Sequence, residues 1–366
     1  MSVIEADVVV VGGGVMGSAA AWQLAARGAD TVLLERFEPG HVRGASHGAS
    51  RMFRYAYTDP LYVELVACTL PLWRGVEAAA GVPLLAVTGG VDHGEASRLQ
   101  AIAAALDAAG VPGQWLDPDD AAKRWPGLRF DTQVLYHAQG ARVDADAAVS
   151  ALQQLAVAAG ARVRHHAQVT RIDSDPAGVE VGEDIYRAGR VVVTAGAWTQ
   201  RLLGEQLRLP PLRVTQEQPL HFAPLIEGEW PSFIHHRGAD LAPFQFVYGM
   251  RTPGEGVKVG FHHAGPECDP DARDFAPEPS RLATLLDYIA EWVPGVDVEA
   301  WAPISCTYTS TGNEDFVIDA VGNIVLAAGF SGHGFKFAPL VGEMLADLAL
   351  DGPRPPERFS LDARSR

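Results

Sequence analysis

The stretch VVVVGGGVMG at residues 8–17 decides the fold of this 366-residue chain. Its four valines form a continuous apolar run, which is typical of a strand buried on both faces. Helical spacing of apolar residues covers 15–27 and ends at Gly28, and a second apolar run covers 31–35. The order strand, turn, helix, strand predicts a βαβ unit and therefore a parallel sheet.

The glycines of this stretch have the GxGxxG spacing. Gly12 allows a tight turn, Gly14 lets the backbone approach a pyrophosphate, and Gly17 lets the helix pack on the sheet. Glu35 ends the second strand, where an acid can accept hydrogen bonds from ribose hydroxyls. A glycine-rich turn in another α/β protein is the alternative, but it does not explain Glu35. The pattern therefore predicts dinucleotide binding without separating NAD from FAD.

The overall composition excludes several classes of partner. The net charge is −16, with 48% hydrophobic and 20% charged residues, and no basic run interrupts the acidic balance. Such a chain repels nucleic acid and anionic membranes. The uncharged stretch 8–26 follows Glu5 and Asp7 and contains three consecutive glycines, which is unsuited to a signal or membrane segment. We expect a cytoplasmic protein, and its three cysteines are too few for a disulfide framework.

The rest of the chain contains both continuous apolar runs and segments that alternate between apolar and polar residues. Two more buried-strand runs, 191–195 and 324–328, are each followed by a glycine, where a ligand can approach the backbone. Residues 244–263 alternate with period two around a Pro-Gly turn, which predicts an antiparallel hairpin. Helical patterns cover 95–109 and 280–292. The Pro-rich tail after Asp351 is expected to be poorly ordered.

Five segments, in this order along the chain, resemble the monomeric sarcosine oxidase family. They are the glycine run with its valines, SHGASRMFR at 46–54, GVKVGFH at 256–262, CTYT at 306–309 and GFSGHGFKF at 329–337. That family includes N-methyltryptophan oxidase and relatives that act on cyclic imino acids. The last two segments are the most specific. The resemblance implies FAD as the cofactor.

The expected fold is α/β, or α+β overall, in two domains. A Rossmann-like FAD-binding domain is assembled from residues 1–80, 141–215 and 306–366. A second, antiparallel-sheet substrate domain is formed by residues 81–140 and 216–305. The length of the chain suits two such domains around a cleft.

The most specific implication of the resemblance is a covalent bond from the Cys306 sulfur to the 8α-methyl group of the flavin. On a strand, Cys306 and Tyr308 share one face. Taken without the resemblance, a free cysteine is most often a small buried hydrophobe, and Cys68 and Cys268 keep that interpretation.

Lys258, Gly260 and His262 share one face of the predicted hairpin strand. Gly260 leaves room for a flat ring, and the resemblance places Lys258 near flavin N5. There its charge stabilises the anion formed when dioxygen accepts an electron. The alternative is an exposed lysine on an edge strand.

Arg51 and Arg54 occupy one face if their segment is helical. The resemblance implies that Arg54 and Lys336 bind the substrate carboxylate while Arg51 lies against the flavin ring; a solvated basic helix face is the ordinary alternative. His262 and Tyr308 are expected to select the neutral amine, and Tyr248 to help enclose the site. The predicted cofactor contacts are Gly12, Gly14, Gly17, Glu35, Ser46, Arg51, Val169, Ala195, Gly196, Trp198, Cys306, Gly332, His333, Gly334 and Lys336.

The resulting prediction is an FAD-dependent oxidase of small secondary amino acids, with dioxygen as acceptor and no metal, acting as a monomer. The adjacent histidine pairs alternate across strands and cannot share an ion. Two alternatives stay open. One is a non-covalent oxidase or dehydrogenase of the glycine or D-amino acid oxidase type, and the other is a non-catalytic flavoprotein subunit.

Overall fold

A computed structural model describes residues 2–364, which form eight α-helices and 21 β-strands. No helix among these residues combines the length and apolar character needed to cross a bilayer. The helices are α1 (Val15–Ala26), α2 (Pro60–Ala80), α3 (Ala96–Ala108), α4 (Pro118–Arg124), α5 (Ala145–Ala158), α6 (Thr199–Leu203), α7 (Pro279–Trp292) and α8 (Ala338–Ala349).

The strands fall into two large sheets and two small ones. They are β1 (Val3–Val11), β2 (Thr31–Leu34), β3 (Arg51–Phe53), β4 (Leu85–Val87), β5 (Gly90–Gly94), β6 (Gln114–Leu116), β7 (Val134–His137), β8 (Ala141–Val143), β9 (Arg162–Arg164), β10 (Arg171–Ser174), β11 (Ala177–Val181), β12 (Asp184–Val193), β13 (Arg213–Glu217), β14 (Leu220–Pro224), β15 (Ser232–His236), β16 (Phe246–Thr252), β17 (Gly256–Phe261), β18 (Val296–Pro303), β19 (Cys306–Ser310), β20 (Val317–Val321) and β21 (Ile324–Ala328).

The first large sheet confirms the predicted parallel unit. Strands β9, β2, β1, β12 and β21 lie side by side and all run parallel. Antiparallel β20 pairs with β21, and β10 and β11 extend the sheet beside the first half of β12. The valines at 8–11 are buried because β1 is central, with α1, α5 and α8 packed on one face. This arrangement is the predicted Rossmann-like sheet.

The second large sheet has the order β18-β14-β17-β16-β15-β5-β7-β6. The hairpin β16–β17 is as predicted, and every neighbouring pair is antiparallel except β15 and β5. That parallel pair arises because β5 and β15 come from distant chain segments and no hairpin constrains their direction. One face packs on α4 and α7, and the opposite face carries Ile234, His236, Phe246, Tyr248, Met250 and Lys258 towards a cavity.

The segment that contains Arg51 is a strand. The prediction that Arg51 and Arg54 share one face of a helix is therefore wrong. Residues 51–53 form β3, which pairs antiparallel with β8, and β4 pairs with the other edge of β8. The backbone groups of β8 hold the segment extended. Side chains three residues apart then point to opposite sides of the chain instead of sharing a face. Their positions depend on how β3 leaves this small sheet.

The C-terminal tail is packed on the protein, contrary to the expected poor order. Phe359 is 1% exposed and belongs to the core beside α8. Arg358 forms ion pairs with Asp59 and, at 2.8 Å, with Asp315. One aromatic ring and one arginine give the tail enough contact to fix it, despite its proline content.

Candidate active site

A cavity of about 1320 Å³ lies where strands β1, β2, β12 and β21 end. Ligands of open α/β sheets bind at this carboxyl edge. The glycine loop forms one wall, and Gly14 is the N-cap of α1 without a side chain to cap the helix. A Cβ on Gly17 would lie 1.9 Å from the Gly12 carbonyl oxygen, so Gly17 permits close packing of α1 instead of lining the cavity.

The Glu35 carboxylate anchors the glycine loop. It accepts hydrogen bonds from the backbone amides of Gly13 at 2.6 Å and Phe37 at 2.9 Å, and His41 lies 3.4 Å away. Burial alone would raise the pKa of Glu35, but His41 and the two amides outweigh it and lower the pKa. Glu35 is therefore ionised on the cavity wall. Gln153, which the sequence analysis missed, donates to the Gly13 carbonyl at 2.9 Å and has no motif to identify it.

Most predicted cofactor contacts line this first cavity, but His333 and Lys336 line a second cavity, and Gly17 supports the loop from behind. Ser46 also accepts a hydrogen bond from the Val15 amide at the start of α1. The predicted contacts that line the first cavity are Gly12, Gly14, Glu35, Ser46, Arg51, Val169, Ala195, Gly196, Trp198, Cys306, Gly332 and Gly334.

The second cavity, of about 580 Å³, lies between the second large sheet and residues 329–337. The two cavities meet, because five residues line both of them. Sites between two packed units commonly hold a cofactor on one side and a substrate on the other. The shared residues are Arg51, Cys306, Tyr308, Gly332 and Phe335.

Strand β19 brings Cys306 and Tyr308 to this junction. The Cys306 sulfur lies 3.8 Å from an Arg51 guanidinium nitrogen, and its thiol is partly exposed. Gly332 has φ +74°, and a Cβ there would lie 2.2 Å from the Tyr308 ring. Only glycine allows this close approach, which holds the ring against the loop.

Lys258 is a buried cation beside the junction. Its Nζ donates to the Ser50 carbonyl oxygen at 3.0 Å, and the side chain is 4% exposed. Burial lowers the pKa of Lys258 to about 7, and the positive charge of Arg51 contributes in the same direction. The edge-strand alternative is wrong, because β17 has neighbours on both sides. Lys258 can therefore stabilise a negative charge that develops in the site.

Arg54 and Lys336 form a cationic pair in the second cavity. Lys336 donates to the Tyr57 hydroxyl at 2.8 Å and to the His333 carbonyl at 2.7 Å, and the Arg54 guanidinium lies 4.9 Å from the Tyr57 ring centroid. Burial and then the charge of Arg54 lower the pKa of Lys336 well below its usual value. Within residues 2–364 neither cation has a carboxylate partner within 4 Å, so the pair suits an anion. Tyr57 was missed, although it follows Arg54 in the aromatic run FRYAY.

Neutral polar side chains complete the second cavity. The Tyr308 hydroxyl and His262 Nδ1 are 3.2 Å apart. Burial raises the pKa of Tyr248 and Tyr308, and burial with the nearby His263 charge lowers the pKa of His262 well below its usual value. Near neutral pH these groups are uncharged. Among residues 2–364, no group of three or more His, Cys, Asp or Glu side chains is arranged to hold a metal.

Known proteins share this sequence and architecture. A family model described as FAD dependent oxidoreductase matches residues 7–348. The monomeric sarcosine oxidase of Bacillus sp. (strain B-0618) is 34% identical, over 94% of this chain and 92% of that protein. The N-methyl-L-tryptophan oxidase of Yersinia pestis (strain Pestoides F) is 28% identical, over 96% of this chain and 97% of that protein.

A solved structure supports the same assignment. The open form of NikD, an unusual amino acid oxidase essential for nikkomycin biosynthesis, has a TM-score of 0.87 and 28% identity. The match covers 98% of this chain and 97% of that one. The resemblance drawn from the five sequence segments is confirmed. The chain belongs to the family of FAD-dependent oxidoreductases, together with the monomeric sarcosine oxidases.

Proposed function

We propose that this protein oxidises small secondary amino acids, such as sarcosine, to imines that hydrolyse in water, with release of hydrogen peroxide. One observation carries the proposal. The cations Arg54 and Lys336, which have no carboxylate partner among residues 2–364, lie in a cavity that shares Cys306 and Tyr308 with the dinucleotide cavity. An amino acid held by its carboxylate there would present its amine to the junction.

The residues of the first cavity fit FAD. Its volume of about 1320 Å³ exceeds that of typical small-ligand sites, as an extended dinucleotide requires. A Cβ on Gly13 would lie 2.8 Å from the Glu35 side chain, so the loop backbone forms the wall. The open helix N-terminus at Gly14 suits a pyrophosphate. FAD, when bound, accepts two electrons from the amine and passes them to dioxygen.

Each polar group of the second cavity then has a distinct role. Arg54 and Lys336 would bind the carboxylate, and Arg51, which lines both cavities, would contact the flavin. His262 and Tyr308, with Tyr248 beside them, form a neutral, desolvated surface that disfavours the ammonium form of the substrate. The neutral amine has the free electron pair that oxidation of the C–N bond requires.

A panel of amines tests the reaction class. The purified enzyme is mixed with sarcosine, N-methyltryptophan, pipecolate and proline, and hydrogen peroxide release is measured. We expect peroxide from at least one secondary amino acid and none from the matching amine without a carboxylate, because Arg54 and Lys336 would be left without their anion. Absence of peroxide from every amino acid would support a dehydrogenase or a non-catalytic subunit.

We also propose that Cys306 holds the flavin covalently. Its thiol is partly exposed at the junction, and its sulfur lies 3.8 Å from an Arg51 guanidinium nitrogen. Acid precipitation of the wild type is expected to give a yellow pellet. Cys306→Ser should give a colourless pellet and a yellow supernatant, whereas the control Cys268→Ser should keep the colour in the pellet. A colourless wild-type pellet would contradict the covalent bond.

The two-domain division of the sequence analysis is part of the same proposal. All eight strands of the first large sheet fall within 1–80, 141–215 and 306–366, and all eight strands of the second fall within 81–140 and 216–305.

We propose further that the enzyme is a cytoplasmic monomer. Its three cysteines are free thiols, which suits a reducing compartment. Size-exclusion chromatography with light scattering tests the oligomeric state.

A further inference from the structure

Arg98 is a further cation of the second cavity, which is also lined by Arg51, Arg54, Lys258, Lys336 and Arg358. Arg98 lies in the first turn of α3 and is exposed to solvent, and its guanidinium lies 5.1 Å from the centroid of the Phe246 ring. Among residues 2–364 it has no hydrogen-bond partner and no carboxylate within 4 Å. Stacking on a ring orients an arginine while its donors stay available to a ligand.

The acidic side chains that line the cavity all have nearer partners than Arg98. Asp59 and Asp315 pair with Arg358. Glu314 lies 3.6 Å from His263, and Glu95 accepts a hydrogen bond from Ser97 at 2.6 Å. Arg98 therefore contributes charge to the cavity that these carboxylates do not neutralise at close range.

The charge balance of the cavity supports a second anion. Partial burial lowers the pKa of Arg98, the positive charge of Arg54 acts in the same direction, and the carboxylates of Glu314, Glu95 and Asp92 oppose this shift. One substrate carboxylate between Arg54 and Lys336 would leave the Arg98 guanidinium free to contact a second one. Sarcosine, a glycine with one N-methyl group, would also fill only a small part of a cavity of about 580 Å³.

We propose that Arg98 binds a second carboxylate of the substrate, so that the enzyme prefers secondary amino acids with two carboxylates. This proposal rests on the proposed function, in which the first carboxylate lies between Arg54 and Lys336. The second carboxylate belongs either to the side chain on Cα or to the substituent on the nitrogen. Both arrangements use the same recognition, a bidentate guanidinium–carboxylate contact.

Two matched pairs of substrates distinguish these arrangements. N-methyl-L-glutamate is compared with N-methyl-L-glutamine, and iminodiacetate with its monoamide, by kcat/KM for peroxide release. In at least one pair we expect the acid to be preferred over the amide by about tenfold or more, because a charged hydrogen bond is lost in the amide. The pair that shows the preference locates the second carboxylate.

Variants at position 98 assign the preference to this residue. Arg98→Met should reduce the acid-to-amide ratio to about one, and Arg98→Lys should restore part of it by returning the charge. The control Arg187→Met, on the exposed first half of β12, should keep the wild-type ratio. Flavin absorbance and Tm verify that each variant is folded. A ratio near one in the wild type, or a ratio unchanged in Arg98→Met, would overturn the proposal.

A binding measurement separates failure of this proposal from failure of the proposed function. Glutarate and butyrate are titrated into the flavin-loaded protein by calorimetry. We expect glutarate to bind about tenfold more tightly than butyrate, and Arg98→Met to remove the difference. If no amine gives peroxide, the proposed oxidase function is contradicted. The difference in binding between glutarate and butyrate still tests whether Arg98 binds a second carboxylate. Equal binding of the two acids in the wild type would contradict the subsite even in an active oxidase.

Discussion

Replacement of Lys258 by methionine is expected to slow the reaction of the reduced enzyme with dioxygen by about 10²- to 10³-fold. The lysine is buried beside the junction, so its charge would act through a medium of low polarity on the anion that forms when dioxygen accepts an electron. Methionine keeps the length of the side chain but has no charge. Stopped-flow absorbance of the flavin measures both half-reactions, and reduction by the amine should change far less than reoxidation.

The pH dependence gives a second measurement of the same group. Burial lowers the pKa of Lys258 to about 7 without cofactor, and a reduced flavin, being negative, would raise that pKa. The lysine is charged below its pKa, so reoxidation should be fastest at low pH and decline as the pH rises through a value at or above 7. Lys258→Met should lose this decline. The exposed control Lys123→Met should keep it, and equal losses in both half-reactions would remove Lys258 from this role.

Replacement of Lys336 by methionine is expected to lower kcat/KM for amino acid substrates by about 10²-fold, mainly through KM. The lysine is 4% exposed, and within residues 2–364 its ammonium group donates hydrogen bonds to two neutral groups, the Tyr57 hydroxyl and the His333 carbonyl. Its removal leaves the substrate carboxylate with Arg54 alone in a desolvated cavity. Steady-state kinetics with the best substrate of the panel measure the loss.

The backbone around Lys336 provides the control for this prediction. Trp73 donates a hydrogen bond from its indole nitrogen to the Lys336 carbonyl at 2.7 Å, and this contact does not need the lysine side chain. The flavin spectrum should therefore stay unchanged in Lys336→Met, and Lys336→Arg should recover part of the affinity. An unchanged KM would remove Lys336 from carboxylate binding.

The local sequence predicted the first strands and the first helix of the parallel sheet. The valine run, the glycine spacing and Glu35 predicted β1, the loop, α1 and β2, because each depends on neighbours along the chain. The resemblance selected Cys306, Lys258, Arg54 and Lys336, and the structure places all four on the walls of the two joined cavities.

The lining of the second cavity depended on tertiary structure. Tyr57, Arg98 and Arg358 line the second cavity from the segment between β3 and α2, from α3 and from the C-terminal tail, which share no common pattern along the chain. The segment that contains Arg51 is extended instead of helical because it pairs with β8, and this pairing is likewise a tertiary contact. Partners that are distant in sequence determine such contacts, so no local periodicity can indicate them.

By itself, the sequence determined a parallel dinucleotide-binding sheet, because strand, turn and helix preferences act over a few residues. Only the tertiary structure decided how the buried charges are arranged. It placed Lys258 near the junction and brought Arg54, Lys336 and Arg98 to the walls of one cavity. Burial and the charge of neighbouring arginines lower the pKa values of Lys258, Lys336 and Arg98, and both effects depend on the assembled fold.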